Sequence, residues 1–235
     1  MKFKTLLFVA LMATLWSTES LAQECKPVTF DGYTYDVVQI GDQCWFAENL
    51  RTRHYANGDE ITGDLSKEEW TTTDSGARAV YGEGELSREK LLENLKMYGG
   101  LYNWYAVDDE RGLCPTGWHV PTDGEWMTLE MELGMTEAQA NDIHGRGTDQ
   151  GDQMKTTYGW DFPGTNSSGF SGLPGGARST NGNFYNAGGN GNWWSSSPIG
   201  LFSAWTRFMF FDGKRVYRLD GYRQIGFSVR CLRDE

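Results

Sequence analysis

The sequence predicts one exported domain of mixed helices and strands, and three observations carry that reading. The N-terminus has the layout of a cleavable signal peptide. β-hairpin signals lie near both ends of the remaining chain. Between them sit helices with capping boxes, Thr122 with Glu125 and Thr136 with Gln139.

Lys2 and Lys4 form a short basic region, Leu6 to Trp16 an apolar run, and Ser20-Leu21-Ala22 a small-residue cleavage site. Residues 1–22 are therefore expected to be a signal peptide and 23–235 a single domain. The apolar run is shorter than the roughly 20 residues a membrane span needs, and no later stretch is longer, so no transmembrane segment is expected after cleavage. Gln23 and Glu24 precede Cys25 where lipid attachment would want small residues. The expected location is extracytoplasmic: periplasm, cell surface or secreted.

The formal net charge is −11. That balance argues against nucleic-acid and anionic-membrane partners, which select basic patches. Aromatic residues make up 14% of the chain, which argues for a folded core rather than disorder. The four cysteines, Cys25, Cys44, Cys114 and Cys231, are an even set in an exported chain and read as disulfides. Three pairings exist and the sequence does not choose among them. A local clip, Cys25–Cys44, with a domain-wide clip, Cys114–Cys231, is favoured. Zinc would need closely spaced Cys or His pairs, and His54, His119 and His144 are scattered.

Residues 28–40 read as a hairpin turning at Asp31-Gly32, and Gly41-Asp42 makes a second turn before Cys44-Trp45-Phe46. Residues 57–87 are polar and glycine-bearing and read as a long surface excursion. A helix from Ser87 to Met97 would carry Leu91, Leu92 and Leu95 on one side. Residues 99–107 read as core. The helix after Thr122 presents Trp126, Leu129 and Leu133 on one face, and a short helix after Thr136 stops near Gly145. Residues 145–192 are rich in Gly, Asn, Ser and Thr with interspersed aromatics, which predicts an ordered loop region pinned to a core. Strands are expected at 193–197, at 203–211, at 214–219 after a two-residue Asp212-Gly213 turn, and at 224–232.

No catalytic set emerges. Asp108-Asp109-Glu110 and Glu68-Glu69 read as solvated surface, and no Gly-x-Ser-x-Gly or Gly-Lys-Ser/Thr motif occurs. Asp149, Asp152 and Asp161, with Asn166, offer oxygen ligands of the kind calcium takes, but not the EF-hand spacing; a polar loop is the favoured reading, and no metal or cofactor is assigned. Aromatic faces beside directed polar groups are the remaining signal, because sugar rings stack on such faces. Tyr158, Trp160, Asn166, Arg178, Asn183 and Tyr185 supply both kinds, and Trp205 and Arg207, alternating on one strand face, could border the same surface. Trp160, Asn166, Arg178, Tyr185, Trp205 and Arg207 are the candidate ligand residues. Trp45, Trp104, Trp118, Trp126, Trp193 and Trp194 are assigned to the core.

Several blocks, in order along the chain, resemble the Fibrobacter succinogenes major paralogous domain: IGDQCWFAENLR at 40–51, YGGLYNWYAV at 98–107, GLCPTGWHVPTDGEWMTLE at 112–130, SSGFSGLPGGARSTNGNFYNAG at 167–188, WWSSS at 193–197 and GFSVRCLRD at 226–234. That family is similar to the C-type-lectin-like and formylglycine-generating-enzyme group. The resemblance implies an α+β, C-type-lectin-like domain with two helices beside a twisted antiparallel sheet and a long loop-rich region. It also supports Cys114–Cys231. The Glu-Pro-Asn, Gln-Pro-Asp and Trp-Asn-Asp triplets of calcium-dependent lectins are absent, and only Cys231 lies where formylglycine-generating enzymes carry a reactive pair. Neither a calcium site nor that enzyme activity carries over. The expected role is a non-catalytic binding module for a glycan or a cell-surface protein. The alternatives are a structural subunit of a surface assembly, or an enzyme acting on glycans or of formylglycine-generating type.

Overall fold

The computed structural model describes residues 24–235. The signal peptide expected at 1–22 lies outside the described residues. Asp31 and Gly32 both take positive φ, 48° and 74°, and fold strand β1 (Val28–Phe30) onto β2 (Tyr33–Tyr35). Asp-Gly suits this turn because both residues tolerate the left-handed region. Gly41, at φ 57°, turns β3 (Val37–Ile40) onto β4 (Gln43–Phe46).

Residues 57–87 are not a plain surface excursion. They contain helix α1 (Lys67–Thr72), closed by a Ser66–Glu69 capping box, and strand β5 (Arg78–Ala79). Trp70 lies fully buried in this stretch and packs with Ala77 and Ala79 as a small satellite core. One large apolar side chain anchors a segment whose average polarity points outward. Helix α2 (Arg88–Tyr98) starts at the Ser87 cap, as expected, and ends at Gly99. Only its Asn94 is buried; Leu91 is half-buried, Leu95 is half-buried and Leu92 is 58% exposed, so its leucine side does not seat in the core.

Strand β6 (Leu101–Tyr102) pairs with β5 and leads into α3 (Trp104–Val107). Next come β7 (Trp118–His119), α4 (Asp123–Glu132) and α5 (Glu137–Asn141), with both predicted capping boxes formed. Trp126 and Leu129 of α4 are fully buried. The loop-rich region holds β8 (His144–Arg146), α6 (Gln150–Met154), β9 (Ala177–Arg178) and β10 (Phe184–Tyr185), and its Trp160 and Phe170 pin it to the core. The chain closes with β11 (Asn190–Ile199), β12 (Ser203–Phe210), β13 (Val216–Tyr222) and β14 (Leu232–Arg233).

The fold is α+β, but richer than two helices beside one sheet. Six helices and five sheets form among the described residues. The two larger sheets are antiparallel, in strand orders β11-β12-β13-β8 and β3-β4-β14-β7. The expected tight Asp212-Gly213 turn is a longer loop, since the last β12–β13 pair is Phe208 with Tyr217. Its carbonyls turn inward instead of pairing: Lys155 Nζ donates to the carbonyls of Phe210, Phe211 and Gly213, and Gly151 N–H donates to that of Lys214. The expected strand at 224–232 is also shorter. Gly226 pairs with Arg178, Phe227 with Tyr102 and Ser228 with Trp193, so the segment changes partner at almost every step and threads between elements. Disulfides join Cys25 to Cys44 and Cys114 to Cys231, the favoured pairing. They are compatible with an oxidising, extracytoplasmic compartment. Among the described residues no helix is long and apolar enough to cross a membrane.

Candidate functional site

The 40–51 block carries apolar residues into the core and then turns polar. Trp45, Phe46 and Leu50 are fully buried, and Asn49 lies inside with them. Asn49 Oδ1 accepts from Trp193 Nε1 (2.9 Å) and Arg230 Nε (2.8 Å), while its Nδ2 donates to the Tyr98 carbonyl (2.8 Å). Arg230 is fully buried, lies over the Phe170 ring, and donates to the carbonyls of Phe46, Phe170 and Ser171. Burial pushes its pKa down to about 9. It satisfies its donors with dipoles rather than a carboxylate, as a buried cation without a counterion must. This hub ties together the end of β4, the end of α2 and the 170–173 loop.

Those three pieces wall a groove of about 700 Å³. Tyr33, Glu48 and Arg51 line one side, Met97 and Lys96 of α2 another, and Tyr158 and Leu173 the third. Glu48 is held in place by the Tyr33 hydroxyl (2.7 Å), Arg51 Nη2 (2.6 Å) and the Asp36 N–H (3.2 Å). The Arg51 guanidinium lies 4.0 Å from the centre of the Tyr33 ring. Burial, followed by the bond to Glu48, raises the Tyr33 pKa and keeps the phenol a donor. Tyr158 is 55% exposed. The groove thus offers two aromatic rings beside fixed hydrogen-bonding groups of both signs.

The six candidate residues do not converge on it. Trp160 is buried and donates through Nε1 to the Gly172 carbonyl. Asn166 closes its own loop, bonded to both the N–H and the hydroxyl of Ser171. Arg178 is buried against the Trp70 ring and donates to the carbonyls of Leu65 and Gly182. Tyr185 is exposed on β10 and bonds Asn181. Trp205 is half-buried under the Arg218 guanidinium, 3.6 Å from its ring centre. Arg207 is fully buried between Glu130 and Asp123. The shared face of Trp205 and Arg207 is covered, since α4 brings Asp123 and Glu130 onto it. Tyr158, two residues from Trp160, is the aromatic of this stretch that reaches the groove. Sequence reasoning missed Tyr33, Glu48 and Arg51; the usable signal was Glu48 and Arg51 spaced three apart just after a buried strand.

Of the acids considered for calcium, Asp161 is exposed and Asp149 and Asp152 are otherwise engaged. Asp152 pairs with Lys214 (3.2 Å) and faces Lys155, and Asp149 accepts from Thr148 and Gln153. Among the described residues no group of three His, Cys, Asp or Glu is placed to hold a metal ion. Among them no cysteine is free.

The Fibrobacter succinogenes major domain matches residues 38–233. The chain belongs to that family. The match spans both the hub and the groove-wall residues Glu48 and Arg51, while Tyr33 lies just outside it. No curated protein matches this chain. No solved structure matches it either. Within this member of the Fibrobacter succinogenes major domain family, the ENL and VRC segments hold the Asn49–Arg230 hub, so their placement serves the fold before any ligand.

Proposed function

We propose that this protein is a non-catalytic binding module of the cell envelope or exterior that takes a glycan in the Tyr33–Tyr158 groove. The observation that carries the reading is the groove itself. Aromatic rings give sugar faces a stacking surface, and Glu48, Arg51 and Lys96 supply directed hydrogen bonds around it. Glu48 already accepts three hydrogen bonds, which suits a positioning group better than a proton donor. A C-type-lectin-like fold is part of this proposal, supported by the α4–β14 end of the domain being closed by Cys114–Cys231.

The test is a glycan array probed with oxidised residues 23–235, with and without calcium. Specific binding that Tyr158→Ala weakens about tenfold, with unchanged thermal stability, supports the groove. That magnitude matches the loss of one aromatic stacking face. A blank array, or a hit indifferent to Tyr158→Ala and Tyr33→Ala, sinks it.

A protein partner is the second reading. Leu201, Phe202 and Tyr222 stand exposed together at the β11–β12 tip, and contiguous exposed apolar side chains are a feature of protein contact surfaces.

A further inference from the structure

A guanidinium taken out of water needs acceptors to replace the solvation it loses. Six arginines are buried among the described residues. The other five find such acceptors, although Nη1 of Arg178 stays buried without a partner. Arg146 and Arg207 bond Glu130, Arg218 bonds Asp123, and Arg178 and Arg230 bond backbone carbonyls. Arg78 is the sixth. It is 8% exposed, its Nε is buried without a partner, and its side chain makes no hydrogen bond or ion pair with any described residue.

Its surroundings explain how it is held there. Strand β5 sets Arg78 opposite Tyr102 of β6. The guanidinium lies flat on Gly63, where an added Cβ would come within 2.8 Å of Nη2. From that position it lines a cleft of about 240 Å³, distinct from the Tyr33–Tyr158 groove but sharing Arg51 with it. Arg53 and Arg88 line the same cleft, and Leu91 and Leu95 of α2 form an apolar wall. Arg51 also has a buried Nε without a partner. Two acids line the cleft, Asp64 and Glu83. Burial, then the hydrogen bond with Asp64, pushes the Glu83 pKa up, which weakens the negative charge opposing the arginines.

We infer that this cleft is an anion site in which Arg78 receives an oxyanion group: a carboxylate, a sulfate or a phosphate. The planar fork of a guanidinium matches two oxygens of such a group, and the low-polarity wall strengthens the bond by excluding water. The site does not depend on glycan binding in the neighbouring groove.

The experiment follows arginine Nε–Hε signals by NMR in the full 23–235 chain. Sodium glucuronate, sodium sulfate and sodium phosphate are titrated separately, each against sodium chloride at equal ionic strength. A saturable shift of the Arg78 signal is expected with at least one of the three and not with chloride. The anion that saturates names the source of the oxyanion. Gly63→Ala, which crowds the guanidinium, should weaken that binding about tenfold, the scale of one charge-assisted bidentate contact. Arg78→Gln should abolish it, and should leave thermal stability equal or higher, since no internal bond is lost. Equal shifts in all four salts would overturn the site. So would a large loss of stability in Arg78→Gln, which would make the residue a structural one. Arg88→Gln, on an exposed side chain at the rim, is a variant whose folding is not at stake; binding indifferent to it and to Gly63→Ala would likewise overturn the site.

Discussion

Glu130 lies fully buried on α4 between two arginines from the neighbouring sheet. Its Oε1 accepts from Arg207 Nε at 2.7 Å and its Oε2 from Arg146 Nη2 at 2.5 Å. Arg207 reaches on to Asp123, which Arg218 also holds, so three guanidiniums share two carboxylates. Burial by itself would raise Asp123, but Arg218 and Arg207 overcome it and keep its carboxyl below the ordinary range. Burial lowers Arg146 to about 10 even with Glu130 beside it, and the neighbouring Arg207 and Arg218 add to the lowering. Replacing Glu130 with Gln keeps the shape and removes one of the two negative charges. Two buried guanidiniums would then face each other with a neutral amide between them. Breaking a buried pair in this way costs about 3–5 kcal/mol. At roughly 2–4 °C per kcal/mol for a domain of this size, the melting temperature should fall by about 6–20 °C. Differential scanning calorimetry and urea unfolding would measure it. The triple variant Glu130→Leu, Arg146→Met, Arg207→Met removes Glu130 with both its partners, leaves Asp123 paired with Arg218, and should lie closer to the wild type than Glu130→Gln alone. A loss below about 1 kcal/mol in Glu130→Gln, the scale of an exposed ion pair, would refute the reasoning.

The two disulfides close loops of very different length, with sequence separations of 19 and 117. In the chain-entropy model, Cys25→Ala with Cys44→Ala should cost about 3 kcal/mol and Cys114→Ala with Cys231→Ala about 5, and equal costs by urea unfolding would contradict that model here. His119 sits between Glu125, 2.9 Å from Nε2, and Asp234, 2.6 Å from Nδ1. The Glu125 bond, helped by Asp234 and opposed by burial, raises its pKa to about 8. The folded-state value is above the unfolded one, so the clasp stabilises fully below about pH 6.5 and its contribution is lost as pH rises through about 8. Burial would raise Glu125, but His119 and the Thr122 N–H bring it from 4.5 to about 2, so its own contribution is full above pH 4.5 and is lost as pH falls from there through about 2. Melting temperature should therefore decline from pH 6.5 to 8, and His119→Gln should flatten that decline; a wild-type curve already flat there would count against the clasp.

Local structure was legible because its causes are local. Thr122, Glu125, Thr136 and Gln139 satisfy backbone groups within one turn, and Asp31-Gly32 needs only its own backbone freedom. The site was read less well. Trp160 and Tyr158 share the same Gly- and Asn-rich surroundings, and composition does not say which of two aromatics two residues apart faces inward. Arg207 and Trp205 alternate as a strand face should, but whether a helix covers that face depends on residues far away in sequence.

By itself the sequence determined the capped helix starts, the Asp31-Gly32 hairpin, the burial of Trp45, Trp104, Trp126, Trp193 and Trp194, and the membership of a family through long blocks in register. Each depends on residues within a few positions of one another, or on matching a pattern already known. Only the tertiary structure decided what those blocks are for. Asn49 and Arg230 are 181 residues apart and meet in one hydrogen bond, and Glu130 and Arg207 are 77 apart and meet in another. Polar residues carry no mark of burial in the sequence, because burying them is favourable only when distant partners arrive to satisfy them. The same rule separates Arg78 from the other buried arginines: its side chain bonds no described residue, whereas each of the others finds at least two acceptors, and that is a property of the folded chain alone.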